Sequence, residues 1–252
     1  MRFLKYHGLG NDFVIVNADA ENGVNFAGIA RKICDRHFGV GADGLVLVGS
    51  LGKNSYEMRI FNSDGTECEM CGNATRCVTK YLNCDGMIEL HTKAGVIRPQ
   101  LLTDGRVRVD MGEPGIGRQN VPLNGYEGNN ISMGNPHFVI FVEDVGKIDL
   151  SCDGAKLETN PYFPNKSNIE FVQVLTPGKL RMRVWERGCG ITMACGTGSC
   201  AALVAGVLNN RCKRNAELEL DGGMLYIEWN ETDNHVYMTG GATKVFEGDY
   251  YV

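Results

Sequence analysis

The chain has 252 residues, 43% hydrophobic and 22% charged, with a net charge of −5 at neutral pH. That length supports one large or two modest domains, each with a packed core. The basic residues are scattered, so nothing here would select a nucleic acid or an anionic membrane as partner. The opening MRFLKYHGLGNDF lacks the apolar core of a secretion signal. The longest apolar stretch, Ala201 to Leu208, is too short to span a bilayer, so a cytoplasmic location is expected. Ten cysteines in a chain of this size are expected as reduced thiols, since disulfide scaffolds belong to short secreted chains.

In chain order, β-rich alternation predicts strands at 13–17, 45–48, 57–62, 88–92 and 107–111, with helices over 26–36 and 72–83. GVGADG at 39–44 satisfies a dinucleotide-binding spacing, but a helical pattern precedes it and a strand follows, so it reads as a structural loop. GEPGIGRQNVPLNGYEGNN (112–130) is rich in Gly, Pro and Asn and reads as a linker. Beyond it, strands are expected at 138–142, 169–175, 180–186, 216–220, 224–229 and 235–239. A helix over 197–209 is apolar nearly all round, which predicts burial, with its own sheet as the wrapping.

The chain repeats itself. MRIF (58–61) lies 13 residues before Cys71, and MRVW (182–185) lies 13 before Cys195, an offset of 124 residues. The same offset pairs Gly10-Asn11 with Gly134-Asn135, and IEL (88–90) is echoed by LEL (218–220). Matches in a common order indicate duplicated halves. Residues 1–114 form the first and 115–243 the second, giving a mixed α/β fold of two pseudo-symmetric domains.

The repeat selects among the cysteines. Cys68 and Cys71 form a CxxC, half of a zinc or redox site, but no second ligand pair with compact spacing follows. Cys34, Cys77, Cys84, Cys200 and Cys212 lie in apolar helical patterns and read as core. Cys71 and Cys195 each stand just before a helix and are followed by glycine. A thiol there feels the positive end of the helix dipole, which favours thiolate. The same free N–H groups suit a carboxylate. Two such ends, facing across a cleft between the domains, would hold a ligand carboxylate with one sulfur on each side of its α-carbon. One thiolate would remove the α-proton, the opposite thiol would supply another, and the backbone N–H groups would carry the enediolate charge. Asn11 and Asn135, and Asn62 and Glu186, are repeat mates at equivalent strand ends and are expected to line that cleft. His137 is either a turn cap or a site residue, and Asn168 either a loop or a site residue.

The stretches KYHGLGNDF, RIFNSDGTECEMCGNATRC, MGNPH, FPNKSNIEF, WERGCGITMACGTGSCAA and YMTGGA together resemble the diaminopimelate epimerase family over essentially the full chain. The resemblance implies two domains, each a mixed sheet curled around a central helix, with the tail 244–252 returning to the first. It implies a homodimer that inverts one α-carbon of LL-2,6-diaminopimelate to the meso form, in lysine and peptidoglycan precursor synthesis, with no cofactor and no metal. Cys71 and Cys195 would be the acid/base pair. Gly72, Asn73, Gly196 and Thr197 would hold the reacting carboxylate, and Asn11, Asn62, Asn135, Asn168 and Arg187 the rest of the substrate. Arg187 suits the distal carboxylate by its bidentate fork. Glu186 would take the α-ammonium and, with His137, tune the thiols. Two positions depart from the pattern: Gly44 stands where some members have Gln, and Ala74 where Gly is commoner. A sibling racemase of histidine or a proline derivative is the nearest alternative, and a thiol-redox or zinc module a more distant one.

Overall fold

The computed structural model describes residues 1–20, 25–84 and 86–251. They divide into two compact units, Met1–Val109 with Gly240–Val252, and Asp110–Thr239.

The first unit runs β1 (Arg2–Gly8), β2 (Asn11–Asn17), α1 (Phe26–Ile33), β3 (Gly44–Gly52), β4 (Ser55–Asn62), β5 (Glu67–Cys68), α2 (Gly72–Leu82), β6 (Glu89–Thr92) and β7 (Gly95–Ile97). The hairpin β8 (Gln100–Leu101) and β9 (Val107–Asp110) follows. The runs FVIV in β2 and LVLV in β3 are continuously apolar because both faces of the sheet are covered. Phe13, Ile15, Val46, Val48, Met58 and Ile60 meet Ala74, Cys77 and Val78 of α2. The alternate residues Val14, Val16, Leu45, Leu47 and Phe61 meet Ile29, Ala30 and Ile33 of α1. Helix α1 starts where the Asn25 side chain accepts from the Gly28 N–H, and it ends with Arg31 and Lys32 at the negative pole of its dipole.

The second unit runs β10 (Gly115–Ile116), β11 (Val121–Leu123), β12 (Tyr126–Ser132), β13 (Pro136–Phe141), α3 (Leu150–Glu158), β14 (Asn168–Thr176), β15 (Lys179–Glu186) and β16 (Gly190–Ile191). It closes with α4 (Gly196–Leu208), β17 (Asn215–Leu220), β18 (Gly223–Trp229) and β19 (Val236–Gly240). Helix α4 packs against β12, β13, β14, β15, β17 and β18. Its residues Cys200 to Ala205 are wholly buried, as a helix apolar all round must be. Phe138, Ile140, Ile169 and Phe171 point to the opposite face, against Leu150 and Leu157 of α3.

The two units share one topology. In the first, β1–β2 is antiparallel, β2–β3 parallel, β3–β4 and β4–β5 antiparallel, β4–β6 parallel and β6–β7 antiparallel. In the second, β12–β13, β13–β14, β14–β15, β15–β16, β15–β17 and β17–β18 repeat that series. The register repeats as well: Phe13 lies opposite Gly44, and 124 residues on, His137 lies opposite Asn168.

The stretch 112–130 is not the linker its composition suggests, because β10, β11 and the start of β12 lie within it and pair with one another. Its glycines and asparagines serve the turns: Asn120, Asn124 and Gly125 all have positive φ. Helix α3 and strands β1, β5, β7, β8 and β16 are additions that the sequence pattern did not indicate. The last strand, β20 (Thr243–Asp249), pairs antiparallel with β1 in the first unit.

Candidate active site

Cys71 is the N-cap of α2 and Cys195 the N-cap of α4, both with extended backbone. Each cysteine carbonyl accepts the first intrahelical bond, from Thr75 N–H at 2.9 Å and Ser199 N–H at 3.0 Å. The hydroxyls of the same two residues, themselves 124 apart, donate to the same carbonyls at 3.1 and 2.8 Å. That second bond ties the helix's first turn to the cysteine backbone in both units. The sequence carried the signal, a hydroxyl four residues after each cysteine. The N–H groups ahead of that bond belong to Gly72 and Asn73 in one helix and Gly196 and Thr197 in the other, where an anion is favoured.

In the first unit a chain of hydrogen bonds orients the side chains near Cys71. Arg76, fully buried, donates from Nη2 to Asn73 Oδ1 at 2.7 Å. Asn73 Nδ2 donates to Asn11 Oδ1 at 3.0 Å, and the Cys71 thiol donates to that same oxygen at 3.8 Å. Asn11 Nδ2 donates to Asp43 Oδ2 at 2.7 Å. A cation at one end and an anion at the other thus set both amides. Asn62, exposed at the end of β4, turns its amide to Thr66 Oγ1 at 3.0 Å. Cys68 donates to the Met70 carbonyl. Arg76 and Asp43 were not among the residues the sequence singled out.

In the second unit Cys195 is buried, and its sulfur accepts from Gly198 N–H at 3.4 Å and lies 3.6 Å from Thr197 Oγ1. Burial pushes this thiol well above its ordinary pKa. The carboxylates of Glu186 and Glu170 push the same way, against the bonds from Thr197 and Gly198. Glu186 at the end of β15 accepts from the Thr192 hydroxyl, and enclosure of its carboxyl raises its pKa despite that bond and one from Cys195. His137 proves to be a buried strand residue rather than a turn cap: Nε2 lies 2.9 Å from Asn135 Oδ1 and Nδ1 lies 2.6 Å from Glu170 Oε1. Asn135 Nδ2 donates to Thr197 Oγ1 at 3.4 Å. Asn168, buried at the start of β14, donates to the Pro136 carbonyl at 2.8 Å and accepts from the Arg187 N–H at 2.9 Å. The exposed Arg187 guanidinium reaches the Asn165 carbonyl at 3.2 Å.

Gly44 and Ala74 have packing reasons. A Cβ at Gly44 would lie 2.9 Å from the Phe61 carbonyl oxygen, and Ala74 fills the core beneath α2. Among the described residues no three His, Cys, Asp or Glu side chains are grouped to hold a metal ion. No described helix is long and apolar enough to cross a membrane. A surface hollow of about 490 Å³ beside α3, lined in part by Tyr126, Asp153 and Lys156, contains none of the site residues.

Comparison with known proteins finds the same duplication. The family model for diaminopimelate epimerase matches residues 3–116 and again 129–245. The chain belongs to the diaminopimelate epimerase family. It is 51% identical to the diaminopimelate epimerase of Pelotomaculum thermopropionicum, with 99% of each chain covered. It is 48% identical to that of Elusimicrobium minutum, with 98% of each covered. Among solved structures, a phenazine biosynthesis protein of the PhzF family from Bacillus anthracis superposes with a TM-score of 0.77 at 17% identity, covering 100% of this chain and 99% of that one. A probable proline racemase from Agrobacterium radiobacter K84 does so at 0.69 and 15%, covering 100% and 93%. At such identities these two show a shared fold, and the mixed α/β architecture with two sheets is that fold.

Proposed function

We propose that this family member is an isomerase that converts LL-2,6-diaminopimelate to the meso form by two-cysteine acid/base catalysis, without a cofactor. The observation that carries the mechanism is the repetition of one device: a cysteine at a helix N-cap, followed by glycine, with its carbonyl doubly bonded by the helix's first turn. One sulfur as thiolate takes the α-proton. The electron pair spreads into the adjacent carboxylate, whose developing charge rests on the N–H groups of Gly72, Asn73, Gly196 and Thr197. The other sulfur, as thiol, delivers a proton to the opposite face, so each turnover exchanges the thiol and thiolate roles.

Cys195 starts as the thiol, held so by burial and two nearby carboxylates. An α-ammonium bound by Glu186 would offset that negative charge and bring the Cys195 thiolate within reach when the direction reverses. Arg187, exposed and flanked by Asn168, suits the distal carboxylate, and Asn11, Asn62 and Asn135 the polar groups between. We further take the protein as a cytoplasmic homodimer serving lysine and peptidoglycan precursor synthesis. The supports are its family and the reaction itself, which needs only a small amino-acid partner.

The test is conversion of LL-diaminopimelate in deuterium oxide, following both stereochemistry and α-deuterium. Cys71→Ala and Cys195→Ala should each abolish inversion. A variant lacking either sulfur that still inverted the centre at the parent rate would refute the two-base reading.

A further inference from the structure

Glu170 is the third residue of β14, in the run NIEFV, with its side chain fully buried. Its neighbours Ile169 and Phe171 face α3, so Glu170 faces α4, where a Cβ on Gly198 would come within 2.7 Å of its Oε1. One oxygen meets His137 Nδ1 at 2.6 Å, while Oε2, equally buried, has no hydrogen-bond partner among the described residues. A half-satisfied carboxylate in a core costs stability and calls for a reason.

The duplication supplies an internal control. The residues 124 positions earlier are Phe13 in place of His137 and Val46 in place of Glu170, and both pack in the first unit's core. The same strands in the same register are therefore built without a polar pair. The fold does not require His137 and Glu170; the half of the protein that carries Cys195 does.

Hydrogen-bond bookkeeping shows what the pair can do. Asn135 gives its Nδ2 to Thr197 and so turns Oδ1 towards His137, which requires a hydrogen on Nε2. The contact between Nδ1 and Oε1 holds one more.

We propose that Glu170 is a positioning residue: it fixes the ring of His137, which in turn holds the Asn135 amide with its NH2 group on Thr197, in the turn that carries Cys195. The proposal rests on the epimerase reading above for its effect on turnover, but its geometry is independent of that reading. Because Asn135 and Thr197 are oriented rather than created by this chain, loss of Glu170 slows the chemical step more than it weakens substrate binding.

The experiment compares four proteins: parent, Glu170→Gln, Glu170→Val, and His137→Phe combined with Glu170→Val. Glu170→Gln keeps an acceptor for Nδ1–H and should stay within about tenfold of the parent kcat, whereas Glu170→Val should lose about 100-fold, with KM changed far less. The double variant carries the side chains used by the first unit, so it should fold and melt no lower than the parent. Proton NMR of the His137 ring should show a low-field, slowly exchanging N–H in the parent that is absent from Glu170→Val. Parent-like kcat in Glu170→Val, or a double variant that does not fold, would overturn the proposal, the latter by making the pair structural. If the parent itself fails to epimerise diaminopimelate, the assigned reaction falls; the ring-proton signal still decides whether Glu170 holds His137.

Discussion

Arg76 Nη2 donates to Asn73 Oδ1 across 2.7 Å, and both residues are buried in the first turns of α2. The same guanidinium reaches the carbonyls of Gly72 at 3.4 Å and Gly241 at 3.3 Å, so one cation ties the helix start to the segment that leads into β20. In the reaction proposed above Asn73 offers its backbone N–H to the substrate carboxylate, and the Arg76 bond fixes the helix turn that carries it. Replacing Arg76 with Met should therefore cost about 1.5–3 kcal/mol in stability, the range for hydrogen bonds to charged groups. It should also lower kcat/KM more than Arg76→Lys does. Urea melts and steady-state rates check both; a stable Arg76→Met protein with parent activity would remove Arg76 from this role.

The Cys195 thiol is raised by burial first, and next by the charge of Glu186. Glu186→Gln removes that charge and leaves the burial, so the thiolate of Cys195 should appear at lower pH than in the parent. Alkylation of Cys195, quantified by mass spectrometry across a pH series, reads this directly. The midpoint should move down; a midpoint that stays put or rises would mean that Glu186 does not act on the thiol through its charge.

Much of this site was legible because the repeat converts single residues into pairs. A lone cysteine before a helix says little, but Cys71 and Cys195 at one offset say where both helices start. What stayed hidden depends on contacts far apart in sequence. Glu170 sits in a run that reads as a buried strand, and only the facing of alternate residues shows a carboxylate against α4. Arg76 looks like an ordinary helical cation until its burial is known. Helix α3 was missed because Gly154 weakens its pattern, yet a Cβ there would come within 2.6 Å of Trp185, so close packing demands the glycine. The stretch 112–130 misled for a related reason: its turn residues serve short strands, and composition alone does not separate tight turns from a linker.

Asp12 joins the first unit's polar network, with Lys5 at 2.7 Å and Arg36 at 2.8 Å. Burial acts to raise its pKa, but the bonds from Arg36 and Lys5 outweigh it and hold the carboxyl at about 2, below its ordinary 3.8. A depressed folded-state pKa stabilises the protein above the unfolded value and loses that contribution as pH falls through the folded one. Between about pH 4 and pH 2 the parent should lose about 2 kcal/mol that Asp12→Asn does not lose. Denaturant melts at pH values spanning that window test it. Parallel losses in both proteins would place the acid sensitivity elsewhere.

Strand β20 raises the question of what the tail contributes, ion pairs or strand pairing. Arg2 meets Glu247 at 2.7 Å and Asp249 at 3.1 Å, but all three side chains are exposed, and such pairs are worth less than about 1 kcal/mol. The pairing runs from Arg2–Asp249 to His7–Thr243 and is closed by reciprocal bonds between Met1 and Tyr250 at 3.0 and 2.9 Å. It also sets Phe3, a core residue, edge-on to Phe246 at 5.9 Å. Arg2→Ala should therefore change stability only slightly. A chain ending at Thr239 would leave β1 unpaired on that edge and Phe3 uncovered, and its first unit should lose protection in hydrogen exchange throughout β1 and β2. If Arg2→Ala lost that protection as fully as the truncated chain does, the ion pairs rather than the strand pairing would be holding the tail in place.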